Sequence, residues 1–258
     1  MAKIYTTEIT SEHIPSDNPI HQRLFKAYVA AEPYVSGDVL EVGCGEGRGV
    51  ELVMQKASSF TAVDKIEEAL QVLQAKFPAA MFVAMNLPPL HGLADSSYDC
   101  VLSFQVIEHI KSDRFYLQEI HRVLKPGGVA LITTPNRKMS LSRNPWHIRE
   151  YLADELKNLA SAIFSEVQMK GITGNAKVMA YYEQNKKSVA RMMRWDILNL
   201  QYNLPAWMLR FPYEVMNRLN RNKLQTGDQS LVQSIRHEDY VVTDDAATAL
   251  DLFMIVRK

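Results

Sequence analysis

The stretch DVLEVGCGEGRGVELVMQKA (38–57) decides how this chain is read. It opens on five β-favouring residues, DVLEV (38–42), passes through glycines at alternate positions, and runs into a segment with apolar residues at helical spacing. Gly43, Gly45 and Gly47 lack the Cβ atoms that keep backbone away from a ligand, and they permit positive φ. Strand, glycine loop and helix in this order place open backbone N–H groups at the carboxyl end of a strand, where α/β sheets bind ligands. Nineteen residues beyond Gly45, Asp64 ends the next β-rich run, FTAVD (60–64). A carboxylate there suits two hydrogen bonds from the vicinal hydroxyls of a ribose, so loop and acid together point to an adenosine-containing ligand. The spacing is G-x-G-x-G, and Arg48 stands where a dinucleotide fingerprint has its third glycine.

Working outward, the alternation continues. MFVAM (81–85), YDCVLSF (98–104) and GVALITT (128–134) read as further strands, short and near-continuously apolar, as in parallel sheets covered on both faces. KIEEALQVLQAKF (65–77) and DRFYLQEIHRVLK (113–125) read as helices. In the second, Phe115, Leu117, Ile120, Val123 and Leu124 form the expected buried stripe, stopped by Pro126-Gly127-Gly128. After Pro135 come a helix at 150–161, a strand FSEVQMKGI (164–172) and a last apolar run LDLFMIVR (250–257). The fold expected is α/β: a doubly wound, Rossmann-like, seven-stranded sheet with a helical insertion before the last strand. One domain is expected, with an N-terminal helical cover (1–36), a cofactor-binding core (37–174), the insertion (175–225) and a final strand region (226–258).

Bulk composition excludes little but is consistent. Twenty-nine basic and twenty-nine acidic residues leave no global field for nucleic acid or an anionic membrane. The opening MAKIYTTEIT has no apolar core, and no apolar run approaches a bilayer span, so a cytoplasmic protein is expected. Cys44 and Cys100 sit at neither metal-ligand nor disulfide spacing and read as reduced packing residues; no metal site is expected. The insertion departs from the average, with nine Lys/Arg against three Asp/Glu and many Met, Tyr and Trp residues. Pro205 and Pro212 are expected to break it into short helices. It reads as a lid over an acceptor pocket, a dimer surface or a membrane-facing patch, with a plain helical subdomain as the bland alternative; lid or subdomain is favoured over the membrane because no long amphipathic stripe survives the prolines.

EVGCGEGRG (41–49) resembles the first motif of class I S-adenosylmethionine-dependent methyltransferases. VDK (63–65), MNLPPL (85–90), YDCVLSFQVIEHI (98–110), LKPGG (124–128) and TTPNR (133–137) follow in that family's order. The resemblance is close to small-molecule enzymes of ubiquinone and menaquinone biosynthesis, over about 25–151 and the final strand. It implies S-adenosylmethionine as cofactor, with Gly43, Cys44 and Gly45 lining its methionine part and Glu41 fixing the loop. Asp64 would hold the ribose hydroxyls, Lys65 and Ile66 would border the adenine, Asn86 and Leu87 would sit at its edge, and Phe104 and Gln105 would flank the sulfonium. Around Met85 and Asn86 the chain lacks the acidic residue common in the family. His13, His21 and Tyr28 belong to a segment that often covers the cofactor there.

Methyl transfer needs alignment, dryness and, for a hydroxyl acceptor, a base. His109, after the fourth strand, is the base candidate, against a histidine merely paired with Glu108 or backbone. In NPWHIREY (144–151), Trp146 offers a stacking face, His147 a titratable nitrogen and Arg149 a fork for an anion; the alternative is local packing with Arg149 paired to Glu150 or Asp154. Trp195 and Trp207 are the candidates for an acceptor wall from the insertion. The reading is methyl transfer to a small, partly apolar acceptor, at oxygen, by a monomer or homodimer with no nucleic-acid partner and no stable membrane insertion. TTPNR lacks the Asn/Asp-Pro-Pro-aromatic tetrad of amino-methylating nucleic-acid enzymes. A cofactor-binding but catalytically silent partner subunit, and an NAD-linked oxidoreductase, stand as rival readings.

Overall fold

The computed structural model describes residues 14–258; His13 and the opening MAKIYTTEIT lie outside the described residues. In chain order the elements are α1 (Asn18–Ala31), β1 (Asp38–Val42), α2 (Val50–Met54), β2 (Ser59–Asp64), α3 (Glu67–Lys76), β3 (Met81–Ala84), β4 (Tyr98–Phe104), α4 (Asp113–Val123), β5 (Leu124–Pro135), α5 (Ala153–Ser161), β6 (Glu166–Gly174), α6 (Ala176–Met193), α7 (Leu200–Asn203), α8 (Ala206–Gly227), α9 (Gln229–Ser234), β7 (Tyr240–Thr243) and β8 (Asp251–Arg257). The strands form one sheet in the order β3-β2-β1-β4-β5-β8-β6-β7. β1 to β5 are mutually parallel where they pair, β8 runs antiparallel between β5 and β6, and β7 is antiparallel to β6.

The sheet has eight strands where the sequence suggests seven. The extra one, β7, is four residues of an edge strand whose middle two are exposed, too short and one-sided to stand out against its charged flanks.

Side-chain alternation sorts the core into two halves. Val39, Cys100, Leu102 and Leu131 point to the face covered by α1, α2 and α3, where Ala27, Tyr28, Val50, Leu70 and Leu73 meet them. Leu40, Val101, Ala130 and Ile132 point to the other face, under α4 and α5. In α4 the buried set is Tyr116, Leu117, Glu119, Ile120 and Val123; full burial of each aliphatic member is worth about 1.5–3 kcal/mol. Phe115, expected inside, is 44% exposed, and its neighbour Tyr116 is buried with its hydroxyl 2.7 Å from Ser103 Oγ.

The insertion is helical but less broken than its prolines suggest. Pro205 sits at the N-cap of α8, whereas Pro212 lies within that 22-residue helix. A proline there removes one N–H from the ladder and normally costs about 3 kcal/mol. Packing holds the helix together across it: α8 touches α6, α9 and the turn before α1, and Leu224 lies in the same core cluster as Val178 and Tyr181 of α6. The insertion thus joins the core at the start of α6 and the end of α8.

Candidate active site

Strand order reverses between β1 and β4, so the loops leaving these two strands flank a crevice at the carboxyl edge of the sheet. The loop after β1 turns on Gly43, Gly45 and Gly47, all at positive φ (83°, 54° and 75°), with Gly43 N–H bonded to Val63 O at 2.7 Å. These glycines do different jobs. A Cβ on Gly43 would lie 2.4 Å from Val106, one on Gly47 2.3 Å from Leu73, and one on Gly49 1.9 Å from the Tyr28 ring, so those three admit protein neighbours. A Cβ on Gly45 would meet nothing within 4 Å. Its open side is the part of the loop that a ligand can approach.

Asp64 is locked to this loop. Its carboxylate accepts the Gly45 N–H at 2.8 Å and the Ile66 N–H at 3.0 Å, and the residue is buried. Glu41, beneath the loop and 1% exposed, accepts the Tyr28 hydroxyl at 2.5 Å through Oε1; its Oε2 is buried with no hydrogen-bond partner among the described residues. Burial, and behind it the nearby Asp64 charge, push the Glu41 carboxyl up to about 7, against the lowering effects of Tyr28 and Arg48. Tyr28 also packs edge-on against Phe104, 4.8 Å between centroids, so α1 is pinned to the loop and to the end of β4 together. Lys65 and Asn86 are exposed, Ile66 and Leu87 half-buried, and Cys44 and Phe104 buried.

Beyond β4 and β5 opens a cavity of about 260 Å³, floored by Gln105, Glu108, His109, Pro135 and Asn136 and roofed by α6 and α8. Gln105 is the link between cavity and loop: it lines the cavity at a left-handed φ of 59°, and Val106 beside it fills the space over Gly43. His109 Nδ1 lies 3.0 Å from the Trp146 carbonyl, which only accepts, so the proton sits on Nδ1 and the lone pair on Nε2. His147 stands edge-on to it at 5.0 Å, its Nδ1 2.6 Å from Glu150 and its Nε2 2.8 Å from the Asn144 amide. Glu108 is buried, accepts Thr134 Oγ1 at 2.9 Å, and is pushed up to about 7 chiefly by desolvation, with His147 pulling the other way. Glu108, His109 and His147 each offer a ligand atom within 4.8 Å of the others, a set that has the chemistry to close on a metal ion.

The structure brings Gln105, His109 and His147 to the cavity and leaves the four expected acceptor residues out of its lining. Trp195 and Trp207 are 84% and 71% exposed, on the outer side of the helical cover. Arg149 is exposed and paired with Asp113 Oδ2 at 3.0 Å, neither of the partners expected for it. Trp146 is sandwiched under the Arg210 guanidinium, 4.2 Å from its ring centre. In their place the insertion contributes Tyr181, Tyr182, Asn185, Tyr213, Asn217, Asn220 and Arg221. Their signal in the sequence is positional: 213, 217, 220, 221 and 224 share one side of a helix, while the large apolar residues of that segment, which draw the eye, occupy the other.

Against this geometry, residues 40–132 match the methyltransferase domain family. A probable S-adenosylmethionine-dependent methyltransferase of Mycobacterium tuberculosis is 41% identical over 141 residues, 52% of this chain and 51% of that protein. A ubiquinone biosynthesis O-methyltransferase of Rhizobium johnstonii is 28% identical, covering 43% of this chain and 46% of its own. The chain thus spans about half the length of the curated relatives it matches. Among solved structures, a possible histamine N-methyltransferase from Thermotoga maritima aligns over 92% of this chain and 91% of its own at a TM-score of 0.54 and 16% identity. The [4+2]-cyclase SpnF aligns over 92% and 81% at a TM-score of 0.53 and 16% identity. Residues 40–132 thus match the methyltransferase domain family, and the fold is the one these solved structures share.

Proposed function

We propose that this chain binds S-adenosylmethionine at the glycine loop and transfers its methyl group to an oxygen of a small, partly apolar acceptor held in the cavity under α6 and α8. The observation that carries the reading is Gly45, whose open side lies beside an Asp64 carboxylate already oriented by two backbone N–H groups. The residues present fit the cofactor. Gly43, Cys44 and Gly45 would border its methionine part, Asp64 its ribose hydroxyls, and Lys65, Ile66, Asn86 and Leu87 its adenine. Glu41, buried beneath the loop, ties it to α1 through the Tyr28 hydroxyl.

When bound, the cofactor supplies a methyl carbon activated by a positively charged sulfur. The chain's own part is alignment, exclusion of water and removal of one proton. Gln105, between loop and cavity, marks where acceptor oxygen and methyl would meet, with Phe104 behind it. His109 Nε2, whose partner nitrogen is anchored on the Trp146 carbonyl, would take the acceptor's O–H proton as the methyl group exchanges its bond to sulfur for one to oxygen. His147 holds the floor of the cavity in place through Glu150 and Asn144. Ile20, Leu24, Leu141, Val178 and Val189 furnish its apolar walls.

Calorimetric titration with S-adenosylmethionine, its demethylated product, NAD and ATP tests the reading. The first two should bind, and Asp64→Ala should weaken them about ten- to a hundredfold, the worth of hydrogen bonds to a charged acceptor. Binding of NAD in their stead overturns it. One rival is a chain that keeps the cofactor site and performs no methyl transfer, which binding without turnover on any hydroxyl acceptor would support.

A further inference from the structure

Two histidines and a glutamate meet on the cavity floor although they come from different segments. Glu108 and His109 follow β4, and His147 lies beyond β5; each offers a ligand atom within 4.8 Å of the others, and all three line the cavity. The hydrogen bonds behind them set both imidazoles in the same way. The Trp146 carbonyl and the Glu150 carboxylate only accept, so His109 and His147 each carry their proton on Nδ1 and a lone pair on Nε2. Asn144 agrees with that tautomer: its Oδ1 takes the Trp146 N–H at 3.0 Å, which leaves its amide N–H to donate to His147 Nε2 at 2.8 Å. A carbonyl or carboxylate behind the ring is the support that metal-binding histidines ordinarily have, and here both rings have it.

We infer that Glu108, His109 and His147 bind a divalent cation of the zinc class on the cavity floor. Two neutral imidazoles and one carboxylate make a three-ligand set that leaves a coordination position open, and nitrogen donors favour zinc-like ions over magnesium or calcium. Bonds of about 2.0–2.2 Å place ligand atoms about 3–3.5 Å apart around such an ion, so small side-chain rotations close this set, with the Asn144 N–H giving way. Charge favours the same outcome. Glu108 is 1% exposed and accepts a neutral hydroxyl from Thr134, and a carboxylate so placed is costly unless a cation faces it. The cavity's arginines are engaged elsewhere, Arg23 with Asp251 and Arg221 with Asp17. Binding of the ion does not depend on the methyltransferase reading. Its role does: proton and ion compete for His109 Nε2, so in the loaded chain an acceptor oxygen meets the ion at its open position, and the base role of His109 belongs to the chain without it.

Titration of the chelator-treated full chain with cobalt(II), followed by visible absorption and by paramagnetically shifted imidazole NMR signals, tests the site. One ion per chain should bind, two imidazoles should shift, and zinc should displace the cobalt where magnesium does not. His109→Ala and His147→Ala should each weaken binding about a hundredfold or more. Glu150→Gln, which removes the charge behind His147, should weaken it about ten- to a hundredfold. The absence of saturable binding, displacement by magnesium as readily as by zinc, or affinity that all three variants leave unchanged would overturn the inference. Should the histidine variants fail to fold, Glu150→Gln and the number of shifted imidazoles in the parent chain still decide it. Neither readout uses S-adenosylmethionine, so this test and the calorimetry of the glycine loop fail or succeed separately.

Discussion

The glycine loop and the helical cover, facing each other across the carboxyl edge of the sheet, are built by opposite means. The loop presents main chain: its shape comes from three positive φ angles, and its polar groups are N–H donors and the Asp64 carboxylate they orient. The cover presents side chains, amides, phenols and a guanidinium projecting from the inner sides of α6 and α8. A main-chain surface depends on residues that are absent as bulk, so it tolerates no added Cβ where a neighbour is close. A side-chain surface is set one residue at a time and can be exchanged without disturbing the helix beneath it.

The largest effect should come from the seam between the two. His109→Ala should lower turnover about 10²–10⁴-fold while leaving S-adenosylmethionine affinity nearly unchanged. A small loss that does not vary with pH would mean that positioning alone does the work, and that His109 belongs to the cavity's packing.

Next in size is a pH effect beneath the loop. The Glu41 carboxyl titrates near 7 in the folded chain against 4.5 in a solvated one. Between those values the folded state retains a proton that the unfolded state has lost, so Glu41's own contribution to stability is greatest below about pH 4.5 and is lost as pH rises through 7. The full difference is at most about 3.4 kcal/mol. Glu41→Gln, neutral in both states, should remove that share of the slope in urea midpoints measured from pH 5 to pH 8. Parallel curves for parent and variant would show that Glu41 is not the group responsible.

The loop's glycines can be divided experimentally. Gly49→Ala drives a methyl group into the Tyr28 ring and should cost about 1–3 kcal/mol of folding free energy. Gly45→Ala meets no atom and should cost only about 1 kcal/mol, from its left-handed φ, while obstructing the cofactor. If urea melts and calorimetry show both variants losing stability and affinity alike, Gly45 has no special standing as the ligand-facing residue.

The smallest effect is expected on the outside of the cover. Trp195→Ala and Trp207→Ala, both at exposed positions, should leave turnover within about twofold of the parent. A tenfold loss in either would return those residues to the acceptor site.

The sheet was largely legible because its signals are local. DVLEV and YDCVLSF read as strands over the same residues that the structure assigns to β1 and β4, being runs of β-formers closed by turn residues. Asp64 and Gly45 were legible for the same reason, lying in a strand end and a loop whose chemistry depends on backbone. His109 and His147 stand out in the sequence because histidine beside a strand end is conspicuous, and both line the cavity. The cover was misread in its particulars. Trp195 and Trp207 suggest a wall by their size, but size says nothing about which side of a helix faces in. That side is set by Val178, Tyr181 and Leu224 packing into the core, contacts that join distant parts of the chain. Arg149 found Asp113, 36 positions away, for the same reason.

The position of β8 bears on how the molecule is made. It lies between β5 and β6, with seven residue pairs to each, and its partners stand from about 80 to about 130 residues before it in sequence. Until residues 251–257 leave the ribosome, the sheet exists as two unjoined parts: β3-β2-β1-β4-β5 on one side and the β6 ribbon on the other. The cavity's floor belongs to the first part, and its roof follows β6 in the chain. During synthesis the glycine loop is thus formed well before the acceptor chamber, and a nascent chain holds a cofactor-shaped pocket for several seconds, at about 5–20 residues per second, before it has anywhere to put a second compound.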